Sequence, residues 1–307
     1  MIHAAPLLGI LIVEAALGYP RGWRHPVEAA GALIAGAERG WNRGGEGRRR
    51  VAGVALLMVL VGLSVAIGLA IEWLAERMDG RGWGLVLVVA IGTTGLAQRS
   101  LHDHVAAVLR PLARGDLPRA RAAVAMIVGR DTAALDEGGV ATAAIESLAE
   151  SFCDGVVAPA AWFLVAGLPG LFAAKAINTA DSMIGHRTPG LAAFGWASAR
   201  ADDGVNWVPA RLAGALICLA GRGGWRTMWR DARAHASPNG GWPEAAMAGV
   251  LGRRLGGPVT YDGEPAMRAV LGDGWAPDAA DLARALRVYR AACLSLWLIV
   301  GALAWAR

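Results

Sequence analysis

Residues 51–71 form an unbroken apolar or neutral run, closed by Glu72. A bilayer core needs about 20 such residues in one helix. The run therefore predicts a transmembrane helix and commits the rest of the fold to a lipid environment. Residues 82–98 are a shorter uncharged run, and the charged turn "EWLAERMDGRGW" before them predicts a helical hairpin. Residues 291–306 predict a third span. Residues 4–18 are apolar but hold Pro6 and Glu14, so they form either a fourth span with a buried acid or a helix packed on the bundle. The N-terminus lacks the basic n-region of a secretory signal, and residues 1–19 are read as part of the mature protein.

Composition agrees. The chain is 55% hydrophobic and 18% charged, with thirteen tryptophans, against about 25% charged in soluble domains. A net charge of +5 on such a chain is read as membrane-flanking arginine, with no nucleic-acid partner. The three cysteines, Cys153, Cys218 and Cys293, are too far apart for a CxxC site and read as small apolar side chains.

Two apolar segments are ambiguous. Residues 155–174 carry Pro159, Gly167, Pro169 and Gly170, and residues 204–221 carry Pro209 and Arg211. Proline and glycine free backbone groups that lipid cannot satisfy, so broken or re-entrant segments are expected. The expected fold is an all-α, polytopic integral membrane bundle forming a single domain over 1–307. Its catalytic body spans 99–287 and carries amphipathic helices that face the cytoplasm.

Two helical faces concentrate polar groups. Around residues 175–185, Lys175, Asn178, Thr179, Asp181 and Ser182 share one side of a helix. Lys175 is the only lysine in a chain of thirty basic residues, which favours a need for a compact ammonium over a planar guanidinium. Farther upstream, Glu146, Glu150 and Asp154 are spaced i, i+4, i+8. A purely acidic stripe repels itself and suits an oxygen-ligated cation such as Mg²⁺. "GRDT" places Arg130 and Asp131 before a helix start. "ARADDGVNWVPAR" supplies Asp202, Asp203, Asn206 and Arg211, and "HASPNGGWPEAAMAG" begins as a Pro/Gly loop. There is no Walker A loop and no HExxH, so a nucleotide would be held in another way.

These motifs, from "GRDTAALDEGG" through "AAKAINTADSMIGH" and "FGWASARADDGVNWVPAR" to "SPNGGWPEAAMAGVLGRRLGG", closely resemble the membrane-bound adenosylcobinamide-phosphate synthases, the CobD/CbiB family. "HPVEAAGALI" also fits, and the likeness covers nearly the whole chain. The resemblance implies ATP-dependent, Mg²⁺-dependent condensation of adenosylcobyric acid with (R)-1-amino-2-propanol or its O-phosphate. It implies an inner-membrane, multi-pass enzyme with its site facing the cytoplasm, and is compatible with a homo-oligomer. Carried over by position, Lys175, Asp181, Asp203 and Arg130 would be catalytic. Asp131, Asn178, Thr179, Ser182, Asp202, Asn206, Arg211, Ser237 and Asn239 would bind substrate or nucleotide. Glu146, Glu150 and Asp154 would hold the metal. Glu14, Tyr19, Ser151, Ala174 and His186 depart from the family pattern. A transporter or proton relay, or a non-catalytic sensor on the same scaffold, are the alternatives. The first predicts inverted repeats, which the sequence lacks; the second predicts a depleted polar set.

Overall fold

The computed structural model describes residues 3–20, 22, 25–78, 80, 82–186 and 188–306. The regular structure of the described residues is helical apart from one hairpin. Its helices are α1 (Ala4–Leu17), α2 (Pro26–Trp41), α3 (Glu46–Arg77), α4 (Trp83–Gly92), α5 (Gln98–Leu112), α6 (Leu117–Val124), α7 (Glu137–Phe152), α8 (Ala158–Ile184), α9 (Trp196–Val205), α10 (Trp207–Gly221), α11 (Trp225–Asp231), α12 (Gly241–Leu251) and α13 (Ala279–Trp305). Among the described residues four stretches are long and apolar enough to cross a membrane, Glu46–Arg77, Trp83–Leu112, Glu137–Ile184 and Ala279–Trp305; α9 with α10 would make a fifth.

The first expected span lies inside the longer α3. The second expected span, 82–98, lies inside the apolar stretch Trp83–Leu112, which is not one regular helix. Helix α4 ends at Gly92, and a 3₁₀ turn over Thr93–Gly95 precedes α5. Thr93 and Thr94 hydroxyls donate back to the carbonyls of Ala90 and Ile91, a competition with the backbone that favours a break. Helix α1 has 14 residues, too few to cross alone, and its Glu14 is buried.

The first ambiguous segment is broken at a glycine, whereas the second divides ahead of Pro209 and Arg211, which both lie inside one continuous helix. Between α7 and α8 the chain makes a π-helical turn, Cys153–Val157. Helix α8 then breaks at Ala166 and Gly167, where Gly167 adopts φ +62°. The freed amide of Leu168 donates to Glu72 Oε1 at 2.8 Å. The second segment divides into α9 and α10 around Asn206.

The chain forms two compact units. The first comprises Met1–Ala97, Ala158–Asn206 and Val300–Arg307. Here α3 packs on α8 and α9 through small residues. A Cβ at Gly53 would fall 1.8 Å from the Phe194 carbonyl oxygen, and one at Gly68 would fall 2.5 Å from the Pro169 nitrogen; only glycine allows these approaches. Ile34, Leu56, Leu60, Ala180, Ile184 and Phe194 close this core.

The second unit comprises Gln98–Val157 and Trp207–Ile299. Its core gathers Val105, Ile145, Leu148, Phe152, Ile217 and Met247, among others. The three cysteines are buried and form no disulfide, as their spacing predicts. This unit also holds the antiparallel hairpin of β1 (Leu255–Tyr261) and β2 (Glu264–Leu271), which the helical reading of the sequence did not anticipate. Its turn is Asp262–Gly263, both at positive φ, the dipeptide a tight hairpin prefers.

Candidate functional site

In the second unit, Glu146 points from α7 into the core and is 1% exposed. Its Oε1 accepts from the Gly256 amide at 2.6 Å. Its Oε2 accepts from Arg130 and, at 2.9 Å, from Arg268 of β2. Both oxygens are therefore engaged within the protein. Arg130, its guanidinium 7% exposed, is locked to this carboxylate. That position suits a group that orients others rather than one that meets substrate.

Arg268 is the hub. Its Nη2 donates to Glu244 Oε1 at 2.9 Å and lies 3.0 Å from His235 Nε2. Glu244, on the first turn of α12, is 1% exposed, and its Oε2 has no hydrogen-bond partner among the described residues. Burial pushes the Glu244 carboxyl well above the usual range, against the opposing charge of Arg268; Glu146 and Glu150 push it further. Burial and then the Arg268 charge lower His235, so the imidazole is held toward its neutral form. Neither Arg268 nor Glu244 stood out in the sequence. Glu244 is a lone acid at a helix start, where a cap is the ordinary explanation, and nothing local marks Arg268.

Glu150 is half-buried and has no hydrogen-bond or ion-pair partner among the described residues. It lies beside Gly240 and His235: a Cβ at Gly240 would sit 3.4 Å from Glu150 Oε1 and 2.9 Å from the His235 ring. Asp154 falls beyond the end of α7, in the π-helical turn, so the i, i+4, i+8 stripe is not continued on one α-helix. Among the described residues no group of three or more His, Cys, Asp or Glu is arranged around a common metal position.

Other expected ligands have local work. Asp131 Oδ2 accepts from the Gly263 amide, and the Asp131 amide donates to Thr260, each at 2.8 Å; this pins the hairpin turn. Ser237 Oγ accepts from the amides of Asn239 and Gly240, capping the approach to α12. Arg211 donates to Asn239 Oδ1 at 3.0 Å and to the Pro238 carbonyl at 3.4 Å. Its guanidinium lies between the rings of Trp207 and Trp242, 4.4 and 4.6 Å from their centroids. The loop 237–240 is thereby clamped.

In the first unit, Asp202 of α9 sits between two amides. Asn178 Nδ2 donates at 3.4 Å and Asn206 Nδ2 at 3.0 Å. Thr179 and Ser182 donate back to the carbonyls of Lys175 and Asn178, each at 2.8 Å, which leaves only their acceptor lone pairs for a ligand. Asp203 forms an open 3.6 Å pair with Arg200. Asp181 is half-buried on the last turns of α8. Lys175 and Thr179 line a cavity of about 430 Å³ whose other walls include Val27, Leu33, Leu63 and Ile67. His25, which caps α2 in a reciprocal box with Glu28, is lowered by burial and by the Lys175 charge. Lys175, Asn178, Thr179, Asp181, Ser182, Asp202, Asp203 and Asn206 thus belong to one unit. Arg130, Asp131, Glu146, Glu150, Asp154, Arg211, Ser237 and Asn239 belong to the other.

These features define a multi-span helical membrane protein with two clusters of acids, amides and basic groups. The description "CobD/CbiB protein" matches residues 7–289. The chain is 51% identical to the cobalamin biosynthesis protein CobD of Rhodobacter capsulatus, over 99% of this chain and 98% of the relative. It is 43% identical to the protein of that name from Geobacter metallireducens and 44% to that from Sinorhizobium fredii, each over 94% of this chain and 93% of the relative. No solved structure matches. The chain belongs to the CobD/CbiB family and has its role in cobalamin biosynthesis.

Proposed function

We propose that this protein is an acid–amine ligase that joins adenosylcobyric acid to (R)-1-amino-2-propanol or its O-phosphate, using ATP and Mg²⁺. The observation that carries the reading is the near-full-length family match together with the side-chain networks that its motif residues build. Glu146 binds Arg130 and Arg268, Asp202 is cradled by Asn178 and Asn206, and Arg211 clamps Asn239.

A carboxylate must be activated before an amine attacks it. The simplest route transfers the γ-phosphoryl group of ATP to the corrinoid carboxylate, giving an acyl phosphate and ADP. The amine then displaces phosphate and forms the amide. Lys175 is assigned to phosphate oxygens as a mobile point charge. The ammonium must lose a proton before attack, and Asp181 or Asp203 is the acceptor. Glu150 and Asp154 of the acidic face offer oxygen ligands only, and such ligands suit Mg²⁺. When bound, that ion would neutralise phosphate charge. Arg130 would act through Glu146, as a positioning residue.

The substrates are a corrinoid and a small amine, and the working environment is the inner membrane with the site on the cytoplasmic face. Complementation of a strain blocked at this step, scored with and without cobinamide, tests the assignment. Rescue by cobinamide but not by the gene would overturn it. Lys175→Arg and Glu150→Gln test the residue roles, and wild-type turnover in both would remove them.

A further inference from the structure

We propose that α11 and the outer face of α10 form an interfacial anchor that selects anionic phospholipid. Val208, Leu212 and Leu219 recur at i, i+4 and i+11 along α10, one helix face, and are 53%, 47% and 56% exposed. Beyond Gly221, the segment "RGGWRTMWRDAR" carries Trp225 and Trp229, 39% and 61% exposed. Arg222, Arg226, Arg230 and Arg233 of the same segment are exposed as well.

Charge selects the occupant. The nearby acids, Asp231 and Asp273, are both bound to Arg230, at 2.6 and 2.9 Å. No carboxylate among the described residues forms an ion pair with Arg222, Arg226 or Arg233. An apolar helical stripe ending in tryptophans and uncompensated arginines matches a bilayer boundary. The stripe meets acyl chains, the indoles sit at headgroup level, and the guanidinium groups meet anionic headgroups. Nucleic acid or an acidic protein would leave the α10 stripe uncovered.

The anchor also touches the polar cluster. Trp229 packs edge-to-face on Trp242 at 5.0 Å, and Trp242 covers the Arg211 guanidinium that clamps the 237–240 loop. Lipid seated on α11 would therefore steady that loop through two aromatic contacts.

The test uses the full-length protein in nanodiscs with Trp229→Cys carrying an environment-sensitive fluorophore; the natural cysteines are buried. Phosphatidylglycerol is titrated into phosphatidylcholine. The expected result is a blue-shifted emission that grows with phosphatidylglycerol and is quenched by headgroup-level spin labels. Combining Arg222→Gln, Arg226→Gln and Arg233→Gln should raise the phosphatidylglycerol fraction at half-maximal shift about fivefold or more, the worth of at least one interfacial arginine. The three Arg→Lys replacements should keep the wild-type midpoint, which separates charge from misfolding. A water-like emission in every lipid overturns the proposal. So does a shift independent of phosphatidylglycerol, or one seen only in discs holding two copies, which would report self-association.

Discussion

The carboxylate of Glu72, at the end of the apolar run of α3, accepts the amide of Leu168 at the break in α8, at 2.8 Å across 96 residues. A backbone donor released inside an apolar helix has no water to turn to, and an unsatisfied group there costs several kcal/mol. Glu72 therefore makes the break tolerable. Gly167 makes it sterically accessible, since φ +62° is strained for residues with a Cβ.

Glu72→Ala should leave the Leu168 amide unpaired and cost about 1–3 kcal/mol. Glu72→Gln keeps an acceptor and should cost less than half of that. Thermal unfolding in nanodiscs distinguishes the two; equal melting temperatures for both variants and the wild type would refute the pairing.

Arg268→Gln removes the cation between two buried carboxylates. The loss should approach 3–5 kcal/mol, the usual consequence of orphaning a buried charge. Arg268→Lys should recover only part of it, because one ammonium cannot reproduce a fork that reaches Glu146, Glu244 and His235 together. Denaturant melts read the stability, and expression with intact helicity is the control.

Glu244 gives a pH signature. Its folded carboxyl is raised above 4.5, so the native state keeps a proton that the unfolded chain releases. The stabilisation is complete below about pH 4.5 and is lost as pH rises toward the folded value. The melting temperature of the wild type relative to Glu244→Gln should therefore fall as pH climbs from 4.5. His235, lowered instead, contributes the opposite slope below 6.5. A constant difference from pH 4.5 to 9 would contradict the assignment.

Arg211→Lys should free the 237–240 loop, because an ammonium loses the two-point contact to Asn239 and Pro238 and the stacking between Trp207 and Trp242. Cation–π contacts of this kind are worth about 0.5–2 kcal/mol. Hydrogen exchange at the Asn239 and Gly240 amides should quicken several-fold, while amides of the α7 core stay protected. Unchanged exchange in the loop would show that Ser237 alone holds it.

The sequence by itself determined the membrane class, the main apolar helix, the break at Gly167, and the shared face of Lys175, Asn178, Thr179 and Ser182. All follow from runs, breakers and helical periodicity, which act between residues a few positions apart. Only the tertiary structure decided what the polar groups do. It paired Glu146 with Arg130 and with Arg268, the latter 122 residues away. It left Glu150 without a hydrogen-bond or ion-pair partner among the described residues, and set Glu72 against Leu168. Such pairings arise because burial makes an uncompensated charge or amide costly, and the compensating group is whichever one packing brings near. Local pattern carries no record of that choice.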